Sequence, residues 1–187
     1  MTKLVLVRHG EPDYSYVTER KFKGHGRDLA QLTTNGIQQA KKAANDTRLN
    51  GAELIVSSPY TRALQTAAII SKERSLDINI ELDLHEWLPD LTFNYISDEE
   101  AIAASHECSA CKGNYKDDDM KNWEKLSMVA DRAFKCLQKY LKYEKIIVVT
   151  HGVLMRQFEY HDDIPYCGII EVDFTKDFKW CGWVEHV

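Results

Sequence analysis

No excess of basic residues marks this chain: 24 Lys and Arg stand against 29 Asp and Glu, a formal charge of −5 at pH 7. That balance gives no electrostatic footprint for nucleic acid or an anionic membrane surface, though it leaves room for a small basic pocket. Long apolar runs are also missing. Leu4 to Val7 meets Arg8 at once, too soon for a secretory leader or for the roughly 20 apolar residues of a spanning helix. Five cysteines, an odd number without such a leader, predict reduced thiols in a cytoplasmic protein. No repeat, low-complexity tract or Gly/Ser linker divides the sequence, and 187 residues against a prior of about 150 per domain predict one domain over 1–187. A hydrophobic fraction of 44% can fill its core and excludes global disorder.

What is present reads as alternating strands and helices. Lys3–Val7, Glu53–Ser57 and Lys145–Thr150 are short buried-strand runs, and Ile78–Leu82 is a weaker one. Thr33 suits the N-cap of a helix carrying Ile37, Ala40, Ala43 and Ala44. Ser58 and Pro59 suit the N-cap and first position of a helix to about Glu73. A capping-box pattern at Ser97–Glu100 predicts a short helix to about His106, and helical spacing predicts a long one over 122–142. Val153 to Phe158 starts another helix, and 168–174 with 178–184 read as a closing pair of strands. Residues 11–31 and 83–120 read as substrate-site loops or a lid, with Lys116 to Asp119 solvated. This order predicts a three-layer α/β/α sandwich with a mostly parallel central sheet, its ligand site beyond the carboxyl ends of the strands.

Chemistry collects at those ends. Arg8-His9-Gly10 ends the first strand and His151-Gly152 ends the strand at Thr150, while Arg62 lies early in the helix after Pro59. Glycine lets the backbone turn and an anion approach, and each arginine offers a planar fork for phosphate or carboxylate oxygens. Two arginines and two histidines converging in an acidic protein describe an oxyanion site, and a phosphoryl group is its natural ligand. A neutral imidazole there can attack phosphorus, with its other nitrogen held by a carbonyl. Cationic donors then stabilise the spreading charge, and a carboxylic acid must protonate the leaving oxygen. Glu86 is the best-placed acid, with Glu11, Asp83 and Asp90 as alternatives; the bland reading of Glu86 is a salt bridge to an arginine.

These residues resemble the histidine phosphatase superfamily, which includes the cofactor-dependent phosphoglycerate mutases. The resemblance rests on Val7-Arg8-His9-Gly10-Glu11, then Leu32-Thr33 with Gly36 and Gln39-Ala40, then Ser57 to Ala63 with Gln65-Thr66-Ala67. Leu84 with Glu86 and Val149-Thr150-His151-Gly152 complete it, over about residues 3 to 157. It implies a phosphoglycerate mutase-like fold, with His9 as phosphorylated nucleophile, Arg8 and Arg62 as phosphate ligands, His151 beside the phosphoryl group and Glu86 as general acid and base. Gly10 joins the phosphate pocket, and no metal or other cofactor is implied.

The expected activity is metal-independent hydrolysis of a small phosphorylated substrate, without nucleic acid or membrane partners. Mutase-type phosphoryl transfer and a non-catalytic phosphate-binding module are the alternatives; the length favours hydrolysis. Three segments depart from the family pattern: Pro12-Asp13 after Glu11, Phe22-Lys23-Gly24 where a small polar residue is common, and Trp87-Leu88-Pro89-Asp90 in place of a Gly-rich stretch. Lys23 is thereby a candidate phosphate contact. His106, Cys108 and Cys111 have ligand-like spacing, but a structural zinc needs four ligands, and reduced cysteines are the favoured reading. Tyr14, Tyr16, Phe22, Trp87, Phe93 and Tyr95 either line the substrate mouth or pack a lid.

Overall fold

The computed structural model describes residues 1–116, 119 and 121–184. In chain order the elements are β1 (Thr2–Arg8), β2 (Pro12–Asp13), α1 (Ser15–Glu19), β3 (Gln31–Leu32), α2 (Thr34–Ala44) and β4 (Ile55–Ser57). Then come α3 (Thr61–Arg74), β5 (Ile78–Ile80), α4 (Asp98–Ala110), α5 (Leu126–Leu137), β6 (Lys145–Thr150), α6 (Gly152–Met155) and β7 (Ile169–Phe174). The main sheet has the order β5-β4-β6-β1-β7, parallel except for β7.

Alternation along the central strands builds the two sides of the core. Ile146 and Val148 face one side with Leu4 and Leu6, against Val129, Ala133 and Phe134 of α5 and Leu154 of α6. Ile147 and Val149 face the other with Val5 and Val7, against Ala63, Ala67 and Ile70 of α3 and Ala44 of α2. Period-two side chains on strands buried from both faces require this three-layer arrangement, as the sequence pattern predicts.

Several local expectations need correction. The Thr33 hydroxyl does cap α2, accepting from Gly36 N–H at 2.8 Å. Ser58 does not cap α3, which starts at Thr61; its hydroxyl lies instead 2.8 Å from His151 Nε2. The Ser97 helix continues past His106 to Ala110, and the long helix is shorter, Leu126–Leu137. Residues 178–184 form no strand. Phe178 instead packs its ring on Phe134 and Phe174 (centroids 5.2 and 5.3 Å), and Trp180 Nε1 donates to Gln157 Oε1 at 2.8 Å, so tertiary anchoring overrides the alternation. The stretch 11–31 is no bare loop, since β2 pairs with β3 and a 3-10 turn covers Gly24–Leu29. Part of the expected solvated run, Asp117 and Asp118, lies outside the described residues. Among the described residues no helix is long and apolar enough to cross a membrane.

Candidate active site

The strand order arranges the site. Arg8 pairs with Thr150 in the β1–β6 register, so the residues that follow, His9 and His151, emerge side by side with ring centroids 5.1 Å apart. Next to β6, β4 leads through Ser58 into α3, whose second residue is Arg62. Beyond it, β5 and a 3-10 turn over Leu82–Leu84 lead to Glu86. All four strands are parallel, so these side chains gather at one edge of the sheet.

Hydrogen bonds fix the state of His9. Its Nδ1 lies 2.7 Å from the Gly10 carbonyl, which only accepts, so the ring proton sits on Nδ1 and Nε2 is unprotonated. Arg62 Nε–H donates to His9 Nε2 at 3.3 Å, and Arg62 Nη1 donates to Asp28 Oδ1 at 3.0 Å. Burial, with the Arg62 charge next, pushes the His9 pKa down to about 3. Burial, then the charge of Arg62, also holds His151 well below the ordinary histidine range. Both rings are neutral near pH 7.

Two polar atoms of this cluster are buried without a hydrogen-bond partner: Arg8 Nε and His151 Nδ1. The rest of Arg8 is held, Nη1 donating to the Ile164 carbonyl at 2.5 Å and the guanidinium lying 4.3 Å over the Tyr166 ring. Ser58 Oγ accepts from Tyr60 N–H at 3.3 Å and has its own O–H to offer His151 Nε2. The Glu86 carboxyl accepts from Trp87 N–H at 2.9 Å and Val153 N–H at 3.4 Å. Burial raises its pKa, and among the described residues no basic side chain forms a salt bridge with it.

The alternative acids lie elsewhere. Glu11 accepts from Asn35, Asp90 is a loop cap for Thr92 and Asn94, and Asp83 contributes a backbone carbonyl to Arg132. Lys23 is exposed, and no hydrogen bond joins it to the cluster. The Gly10 N–H donates to Thr66 Oγ1 at 3.0 Å, and the Gly36 backbone approaches the Gly10 Cα closely. Among the described residues no group of three His, Cys, Asp or Glu side chains is arranged to hold a metal ion. Of the loop aromatics, Tyr14 and Tyr95 line a cavity with Asp28, and Phe93 and Tyr95 flank His25. Tyr16 is exposed, Phe22 lies against Gly26, and Trp87 packs on the core.

Asp28, Ser58 as partner of His151, Thr66 and Tyr166 are site residues that sequence reasoning missed. Ser58 and Thr66 stand inside the quoted motifs, but Asp28 reaches Arg62 across 34 positions and carries no local signal. Two further motif residues fasten the site loop: Gln39 Oε1 accepts from Glu11 N–H at 2.9 Å, and Gln65 Oε1 accepts from Leu32 N–H at 2.7 Å.

Two expected results follow from this geometry. A Cβ at position 10 would stand 2.6 Å from the Gly36 carbonyl oxygen. Gly10→Ala should therefore shift the His9 turn, lowering kcat at least about 10-fold and stability by about 1–3 kcal/mol in urea unfolding. The second concerns acid. His9 binds its proton near pH 3 when folded and near 6.5 when unfolded, so the unfolded chain binds more protons in between. Its contribution is present above pH 6.5 and lost as pH falls, by about 2–3 kcal/mol between pH 7 and 4.5. His9→Asn should flatten that limb in urea midpoints at the two pH values; an unchanged slope assigns the acid loss to other groups.

The fold is that of the histidine phosphatases: the chain superposes on the mycobacterial glucosyl-3-phosphoglycerate phosphatase in its complex with VO3 with a TM-score of 0.70, at 18% identity, covering 99% of each chain. Residues 4–161 match the family described as histidine phosphatase superfamily (branch 1), and the chain belongs to that superfamily. Curated relatives include the uncharacterized phosphatase PhoE of Bacillus subtilis, 29% identical over 81% of this chain and 72% of that protein. The probable phosphoglycerate mutase GpmB of an Enterobacter species is 27% identical over 98% of this chain and 91% of its own.

Proposed function

We propose that this protein is a metal-independent phosphomonoesterase that hydrolyses a small phosphorylated metabolite through a phosphohistidine on His9. The observation that carries the reading is the neutral, buried His9 with an unprotonated Nε2, set among Arg62, Arg8 Nε and His151 Nδ1. The two unpartnered atoms are suited to phosphoryl oxygens, and Arg62 can turn its Nε–H from His9 to the same group.

His9 Nε2 attacks phosphorus, and the P–O bond to the leaving group breaks as Glu86 gives its proton to the departing oxygen. Arg8, Arg62 and His151 stabilise the equatorial oxygens, with Ser58 donating to His151 Nε2 so that Nδ1–H points its proton at the anion. Glu86, now a carboxylate, takes a proton from water; the water oxygen bonds to phosphorus, the P–N bond breaks and phosphate leaves. Cytoplasmic action fits five cysteines that are all unpaired.

A panel of phosphorylated small molecules, assayed with a chelator present, tests this. Chelator-resistant phosphate release supports the enzyme. Tight phosphate binding without release from any compound would leave a binding module, and conversion of 3-phosphoglycerate to its isomer without release would make the protein a mutase, as the name of its GpmB relative suggests.

A further inference from the structure

The segment after Glu86 is one of the three where the chain departs from the family pattern, and a buried ion pair holds the loop around it. Arg132 of α5 donates through Nη1 to the carbonyls of Asp83 and His85 at 2.6 and 2.9 Å, and through Nη2 to that of Glu86 at 3.3 Å. Its Nε and Nη2 also reach the two carboxylate oxygens of Glu124 at 2.7 and 3.1 Å. The side chains are 13% and 3% exposed. Glu124 in turn accepts from Leu88 N–H at 3.1 Å, and its backbone carbonyl accepts from Trp87 Nε1 at 2.6 Å. Thr150 Oγ1 donates to the Leu84 carbonyl at 2.8 Å, tying the same loop to the residue before His151.

A guanidinium has five N–H donors, and these five contacts use them all, so Arg132 keeps none for a substrate. A buried ion pair adds little stability over an apolar pair of similar shape, so stability alone does not account for it here. We propose that Arg132, locked by Glu124, is a positioning residue for Glu86: it grips the carbonyls before and at Glu86 while Glu124 grips the Leu88 amide two residues on. The acid is thereby held where the leaving oxygen departs. This rests on the reading of Glu86 as the general acid. A lysine, a point charge on a flexible stem, cannot span three carbonyls and a carboxylate.

The test compares kcat for p-nitrophenyl phosphate, whose leaving group needs little protonation, with kcat for glycerol 2-phosphate, whose alkoxide needs it. Arg132→Lys and the double variant Arg132→Met/Glu124→Gln are measured; the second leaves no unpaired buried charge and keeps the comparison available if the first folds poorly. Both should lose about 30–100-fold on glycerol 2-phosphate and less than about 5-fold on p-nitrophenyl phosphate, with inhibition by inorganic phosphate unchanged within about 2-fold. Parallel losses on both substrates, or a phosphate inhibition constant that rises with them, would overturn the positioning role. Glu86→Gln runs alongside. If Glu86→Gln fails to separate the two substrates, the acid assignment fails and the positioning role falls with it. If it separates them and the Arg132 variants do not, only the positioning role fails.

Discussion

His9→Ala is expected to lower phosphate release by about 10⁴-fold or more, because in the proposed mechanism it removes the atom that bonds to phosphorus. The remaining cations still bind the substrate phosphoryl group, so inhibition by inorganic phosphate should weaken far less than kcat falls. Wild-type protein quenched during turnover of labelled substrate should carry an acid-labile phosphate, and the same variant should abolish it. His9 is suited to this role because it needs no deprotonation: the Gly10 carbonyl holds the proton on Nδ1, and burial beside Arg62 keeps the ring neutral down to about pH 3. Retention of the label on the His9→Ala variant would place the intermediate on another residue and overturn the mechanism.

Glu86→Gln should cost about 10²–10³-fold in kcat on alkyl phosphates and much less on p-nitrophenyl phosphate. The amide preserves the shape of the side chain but has no acidic proton for the departing oxygen. Burial raises the pKa of this carboxyl, so it stays protonated to higher pH than an exposed glutamate would. The direction of the pH profile follows: activity on alkyl phosphates should decline as pH rises through that raised value, as the acid form is lost. The decline should vanish in Glu86→Gln, whose amide does not titrate in that range. An alkaline limb that survives the substitution would belong to a different group.

Much of the site was legible because its chemistry sits at element ends that local sequence marks well. The β-branched and leucine runs before His9 and His151 are unambiguous, and both histidines stand where a strand stops. Arg62 stands early in its helix, although that helix begins at Thr61 rather than after Ser58. The partners of these residues were not legible. Ser58 reaches His151 across 93 positions, and Arg132 reaches the Glu86 carbonyl across 46. Contacts of one side chain with a distant backbone atom leave no periodicity to read. The stretch 11–31 was obscure for a related reason: its elements are two to six residues long and held by tertiary contacts such as Arg27 to Asp98 at 2.6 Å.

By itself, then, the sequence determined which strands are buried on both faces and which side chains stand at their ends. These follow from periodicity and residue chemistry, which act over a few neighbouring positions. Only the tertiary structure decided that β6 lies between β1 and β4, which sets His151 beside His9 and brings Arg62 to them. It also decided that Glu86, among four carboxylates, is the one that meets the Val153 N–H two residues past His151, and that Arg132 and Glu124 hold its loop. Strand order, register and the placement of one carboxyl depend on which distant segments pack together, and no local pattern records that.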